Sequence, residues 1–145
     1  HLAKIICETR KFNRIETTEQ LKAAIKKCVR KDKENQYLSK VFQALRIEVN
    51  DELNALKEML EQSGDILKKG GRLVVISYHS LEDRLVKNFM RSGNFLGEVK
   101  KDFYGNPVTP FKIITKKPVK PDEKEIAENN RARSAKLRIA EKLKT

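Results

Sequence analysis

Ile66-Leu67-Lys68-Lys69-Gly70-Gly71-Arg72-Leu73-Val74-Val75-Ile76-Ser77-Tyr78-His79-Ser80-Leu81-Glu82-Asp83-Arg84 decides the fold class. Gly70 and Gly71 stop the helix before them, because glycine accepts the left-handed conformation found just past a last helical turn. Leu73 to Ile76 is apolar without interruption, which predicts a strand covered by helices on both faces. Ser80, with Asp83 three residues on, predicts an N-cap and a new helix. A helix end, a glycine turn, a buried strand and a capped helix make one unit of an open α/β sheet. Its polar residues gather at the strand's carboxyl end, where such sheets place ligands and chemistry.

Working outward, Leu2, Ile5, Ile6 and Thr9 recur at helical spacing, and Thr17 with Gln20 predicts a capping box. The helix that follows puts Leu21, Ala24, Ile25, Cys28 and Val29 on one face. Lys22, Lys26, Lys27, Arg30 and Lys31 fall on the rest of it. Phe42, Leu45, Val49, Leu53, Leu56 and Leu60 form the stripe of a single helix over about 38–62, well beyond the usual ~10–14 residues. A short helix at 65–69 leads into the glycine pair. Past Ser80, Leu81, Leu85, Val86, Phe89 and Met90 point inward until Ser92-Gly93. Residues 95–104 and 111–116 read as strands of a long hairpin around Gly105-Asn106-Pro107. After Pro118 and Pro121, a basic tail over 129–138 is expected to drape on the surface.

A chain of 145 residues is the size of one ordinary domain. Hydrophobic residues make up 39% and charged residues 36%, a charge-rich but not disordered profile. Lys plus Arg number 32 against 20 acidic residues, for a net charge of +12 and a pI of about 9.8, which favours a polyanionic partner such as nucleic acid. Cys7 and Cys28 form no Cys-x-x-Cys pair, so neither a zinc site nor a disulfide framework is expected. Both are read as buried free thiols of a cytoplasmic protein. No apolar run is long enough for a membrane span and no signal-peptide pattern is seen.

Three segments, Phe42 to Asn50, Gly70 to Arg84 and Arg131 to Arg138, together resemble the ribosomal RNA small-subunit methyltransferase H family, also called MraW. The match runs in order through essentially the whole chain, and Thr17-Thr18-x-x-Leu21 and Lys116-Lys117-Pro118 also fit. The resemblance implies transfer of a methyl group from S-adenosylmethionine to the N4 amine of a cytidine in small-subunit ribosomal RNA, alone or in the assembled subunit. It implies a partial Rossmann-like (class I) α/β methyltransferase sheet with an α-helical insertion. On that basis residues 1–62 are expected to be the RNA-recognition insertion. Residues 63–145 are expected to be the carboxyl-terminal part of the methyltransferase domain. The similarity is to the carboxyl half only. The one glycine pair precedes a strand, whereas a cofactor-gripping turn follows one, so the S-adenosylmethionine site is expected in an amino-terminal half and the present chain to be inactive alone. A start at His1, inside a helical pattern, agrees with a fragment.

His79, Glu82 and Asp83 are the candidate catalytic residues, at the rim of a cytidine pocket. A hydrolase-type pairing of His79 with Ser80 is disfavoured because strand neighbours point oppositely and no acid orients the imidazole. Arg84 serves equally as an ion-pair partner of Glu52 or Glu58. Arg46, Arg131, Arg133, Lys136 and Arg138 are the candidate RNA contacts, a planar guanidinium suiting phosphate or a base edge. The plain alternative for each is a solvated surface charge. No metal site is expected. The rival functions are a non-catalytic basic RNA-binding module and, behind it, a helical protein-interaction fragment. An open edge at strand 72–77 leaves room for a homodimer.

Overall fold

The computed structural model describes residues 1–29 and 31–143; Arg30 of the expected basic face lies outside them. The chain divides into two compact units, His1–Asn50 and Asp51–Thr145.

The first unit is helical: α1 (Leu2–Phe12), α2 (Thr18–Ile25) and α3 (Glu34–Val49), with short 3₁₀ turns at Lys26–Cys28 and Lys31–Lys33. The capping box starts α2 as expected. The Thr17 hydroxyl accepts the Gln20 N–H at 3.2 Å, and the Gln20 side-chain oxygen accepts the Thr17 N–H at 3.1 Å. Leu21, Ile25, Leu38 and Val41 form the core, with Leu2, Ile6, Ile15 and Phe42 packed against it. Cys28 is half-buried, but Cys7 is exposed, which corrects the expectation of two buried thiols.

The single helix expected over 38–62 is interrupted. Asp51 adopts a left-handed conformation (φ 50°, ψ 38°), and α4 then runs from Glu52 to Ile66, absorbing the start of the short helix expected at 65–69. A short polar side chain tolerates that backbone, and the Asp51 carboxylate accepts a 2.8 Å hydrogen bond from Asn54. The apolar stripe hid the break. Its members Leu45 and Val49 are in fact exposed, Val49 by 82%. The boundary expected at 62/63 falls inside α4.

The second unit is a small sheet under two helices. β1 (Arg72–Ser77), β4 (Phe111–Ile113) and β5 (Lys136–Lys142) lie in the order β1-β5-β4, with β5 antiparallel to both neighbours. Leu60 from α4 and Val86, Phe89 and Met90 from α5 (Ser80–Ser92) cover one face, packing on Leu73, Val75, Phe111 and Ala140. The Phe89 ring stacks on Phe95 at 5.5 Å and meets Phe111 at 5.7 Å. Among the described residues, covering on both faces is not seen. Leu73, Val75 and Ser77 are buried, whereas Val74 and Ile76 are each 53% exposed on the far side, in register with Ile139 and Leu137.

The long hairpin is also corrected. Among the described residues β2 (Lys100–Lys101) pairs only with β3 (Pro107–Val108), around a turn in which the Asp102 carboxylate accepts the N–H groups of Tyr104 and Asn106 at 2.9 and 2.8 Å. Phe111–Ile113 joins β5 instead. The tail drapes over nothing: past α6 (Glu123–Glu128) and the 3₁₀ turn Asn130–Ser134, it becomes the central strand.

Gly93 closes α5 at φ 72°, and a Cβ there would sit 2.8 Å from the Pro110 ring. Gly93→Ala is expected to cost at least about 1–2 kcal/mol from the left-handed backbone alone. The check is the urea midpoint followed by circular dichroism; an unchanged midpoint would mean the α5 terminus relaxes freely. Among the described residues, no helix is long and apolar enough to cross a membrane.

Candidate functional site at the carboxyl end of strand β1

At the end of β1 the Ser77 hydroxyl is buried beside the Lys136 carbonyl of β5, at 3.5 Å. Tyr78 then turns outward, 57% exposed, and His79 takes an extended conformation as the residue before α5. The helix cap is therefore His79, not Ser80, one position earlier than the usual cap residue types suggest. The His79 Nδ1 accepts the Glu82 N–H at 3.3 Å. The Glu82 Oε2 accepts the N–H groups of Tyr78 and His79 at 2.9 and 3.2 Å. An imidazole nitrogen does what a Ser or Thr oxygen does in an ordinary capping box, and orphan donors at the helix start are satisfied reciprocally. Ser80 is left exposed as the first helical residue.

The same hydrogen bond fixes the imidazole. With Nδ1 as acceptor, the ring proton is on Nε2. Nε2 is buried and stands 3.2 Å from Glu82 Oε1, in contact with the carboxylate but without a well-directed hydrogen bond. Glu52 of α4 joins them: one oxygen of each carboxylate and a ring nitrogen lie within 4.8 Å of one another. This trio has the composition of a metal site but not its chemistry, because neither imidazole nitrogen offers a free lone pair. It forms a polar cluster at the β1–α5 turn. No local spacing connects α4 to the strand end, so the sequence carries no signal that places Glu52 beside His79.

Asp83 faces inward from the first turn of α5. Arg138 grips it with two hydrogen bonds, Nε to Oδ1 at 2.7 Å and Nη2 to Oδ2 at 3.1 Å, and the Lys136 ammonium stands 3.5 Å away. Burial pushes the Asp83 carboxyl up, but the hydrogen bonds and charge of Arg138, with Lys136 behind them, outweigh it and hold the group below the ordinary range. Asp83 is a structural ion-pair partner and not an open rim acid, and Arg138, only 9% exposed, is occupied by Asp83 and not open to a phosphate.

The remaining candidates separate. Lys136 keeps part of its side chain in solvent. Arg131 and Arg133 are exposed on the 3₁₀ turn leading into β5 and make no ion pair among the described residues. Arg46 is exposed on α3, in the other unit, and Arg84 is exposed on α5. The fold therefore brings His79, Glu82, Asp83, Lys136 and Arg138 to one end of the sheet.

Residues 1–143 match the family described as the MraW methylase family. Over 142 residues, 98% of this chain, it is 54% identical to the ribosomal RNA small subunit methyltransferase H of Parabacteroides distasonis, covering 47% of that protein. The protein of the same name from Flavobacterium johnsoniae is 57% identical over the same shares of both chains. That from Cytophaga hutchinsonii is 53% identical over 97% of this chain and 47% of its own. The chain spans about half the length of these curated relatives. With a match that takes in both units, the β1 segment and the β5 strand, the chain belongs to the MraW methylase family.

Proposed function

We propose that this chain is the carboxyl-terminal part of an S-adenosylmethionine-dependent methyltransferase acting on the N4 amine of a cytidine in small-subunit ribosomal RNA, in the cytoplasm. The observation that carries the reading is 53–57% identity, along nearly the whole chain, to proteins named as small-subunit ribosomal RNA methyltransferases. The open edge of β1 and the exposed Val74 and Ile76 support a Rossmann-like sheet that continues into a further segment. A second copy pairing through β1 is the alternative cover.

The carboxyl end of β1 does not itself fit S-adenosylmethionine. Tyr78-His79-Ser80 follows the strand where a glycine turn would be needed, and Oε2 of Glu82 is taken by two backbone N–H groups. The cofactor is accordingly assigned to the amino-terminal half. What the present residues supply is substrate-side structure. The His79–Glu82 cluster fixes the turn that presents Tyr78, and exposed cations, Lys22, Lys26 and Lys27 of the helical unit with Arg131 and Arg133 of the second, grip the RNA backbone. A base held in folded RNA must be turned out, and its amine aligned, before methyl transfer; a rigid rim serves that alignment.

The test joins this chain to the amino-terminal half of the Flavobacterium johnsoniae relative and supplies radiolabelled S-adenosylmethionine with undermethylated small subunits. The hybrid is expected to label N4-methylcytidine, and the chain alone to bind no cofactor and transfer nothing. Micromolar cofactor binding by the chain alone would overturn the assignment of that site. Label on another nucleoside would overturn the N4 assignment.

A further inference from the structure

On the side of the second unit where α5 meets the end of β4, Lys87, Met90 and Arg91 share one face of the helix, at i, i+3 and i+4. Ile113 and Lys116, at and just past β4, stand across from them, and Ile139 of β5 completes an apolar lining. Together they enclose a pocket of about 200 Å³. Thr115 is fixed in its wall, its hydroxyl accepting the Ile139 N–H at 2.9 Å.

The charge of this pocket is one-sided. No carboxylate lines it. Lys87, Arg91 and Lys116 make no ion pair among the described residues, and Arg138, also in the lining, is already matched by Asp83. Three unmatched cations around the half-buried Ile113 and Ile139, with the core residue Met90 beneath them, suit a ligand with a phosphate at one end and a flat, weakly polar ring at the other. The size is informative too. Pockets for whole small molecules run to about 300–1,000 Å³, so about 200 Å³ suits one residue of a longer ligand better than a free metabolite. The net charge of +12 makes a polyanion the natural bearer of that residue.

We propose that this pocket is a nucleotide subsite for single-stranded RNA, with Lys87, Arg91 and Lys116 holding phosphate while the nucleoside lies against the half-buried Ile113 and Ile139. The proposal rests on the ribosomal-RNA reading above and extends it to residues outside the β1 end. Unpaired RNA is the suitable form, because its sugar, base face and phosphate are all open to side chains.

The full 145-residue chain is titrated into a fluorescein-labelled 12-nucleotide RNA at several salt concentrations, by anisotropy. Two triple variants of equal charge are compared: Lys87→Gln/Arg91→Gln/Lys116→Gln in the pocket and Lys100→Gln/Lys101→Gln/Lys124→Gln elsewhere. All six side chains are exposed and lose no ion pair. The pocket variant is expected to lose about tenfold or more in affinity, with the salt slope falling by about 0.7 for each phosphate contact removed. The control should lose much less. The same RNA carrying 4-thiouridine should cross-link to peptides containing Ile113 or Ile139. Equal losses in the two variants, or adducts confined to other peptides, overturn the pocket and leave RNA binding standing. No RNA binding by the unaltered chain overturns both. Displacement of the RNA from the unaltered chain by a polyglutamate peptide, absent with the pocket variant, makes the occupant an acidic protein and also overturns the proposal.

Discussion

Arg138→Ala is expected to lower the stability of the second unit by about 3 kcal/mol, the low end for removing one partner of a buried pair. Asp83 would keep its burial and lose both hydrogen bonds, with the Lys136 ammonium at 3.5 Å as its remaining charge partner. That remaining partner, and the 14% exposure of the Asp83 side chain, set the estimate at the low end. The pH dependence identifies the cause. Asp83 is depressed below its ordinary value of 3.8 in the folded chain, so its contribution is fully present above that value and is lost as pH falls through the folded pKa. The unaltered chain should therefore lose stability on acidification, while Arg138→Ala has little of this contribution left to lose. The gap between their urea midpoints should narrow between about pH 7 and about pH 3. A gap that stays the same would mean Arg138 acts through the packing of its stem and not through its charge.

That ion pair also explains what could be read from the chain and what could not. The inward face of α5 was legible because Val86, Phe89 and Met90 sit at helical spacing with nothing to contradict them. The capping box at Thr17 was legible because it is entirely local. β5 was not. Its inward positions are Arg138 and Ala140, so the alternation that marks a strand is broken by a charge whose partner, Asp83, is remote in sequence. Read locally, the segment is a basic tail; only the fold turns Arg138 inward. His79 failed for a related reason: a histidine can cap a helix, but the pattern Ser80-x-x-Asp83 offered a commoner cap one residue later. At β1 the continuous run from Leu73 to Ile76 predicts two-sided burial, yet within the described residues only one face is covered. The gathering of polar residues at the strand's carboxyl end was legible from the glycine turn and the Tyr78-to-Asp83 run. The pairing inside that cluster was not.

The largest effect is expected from deleting residues 129–145, which a surface tail would tolerate and this fold would not. β5 supplies every backbone pairing in the three-stranded sheet, from Arg72↔Glu141 to Ser77↔Lys136 on one side and Phe111↔Lys142 to Ile113↔Ala140 on the other. With it go the Asp83–Arg138 pair, the bond from the Lys142 ammonium to the Gly64 carbonyl at 2.7 Å, and the closure of Gly70 and Gly71 against Lys142. β1 and β4 do not touch across that gap as neighbours, so no sheet is left for α4 and α5 to cover. The second unit should lose cooperative unfolding, and the amides of 73–77 and 86–90 should exchange without protection. Slow exchange at 73–77 in the truncated chain would show that β1 is held by the helices alone. Any RNA affinity lost in that truncation would report the missing sheet, whatever the tail touches. Arg131→Gln/Arg133→Gln separates the two effects, because both side chains are exposed. It should weaken RNA binding while leaving the amide protection of the sheet intact.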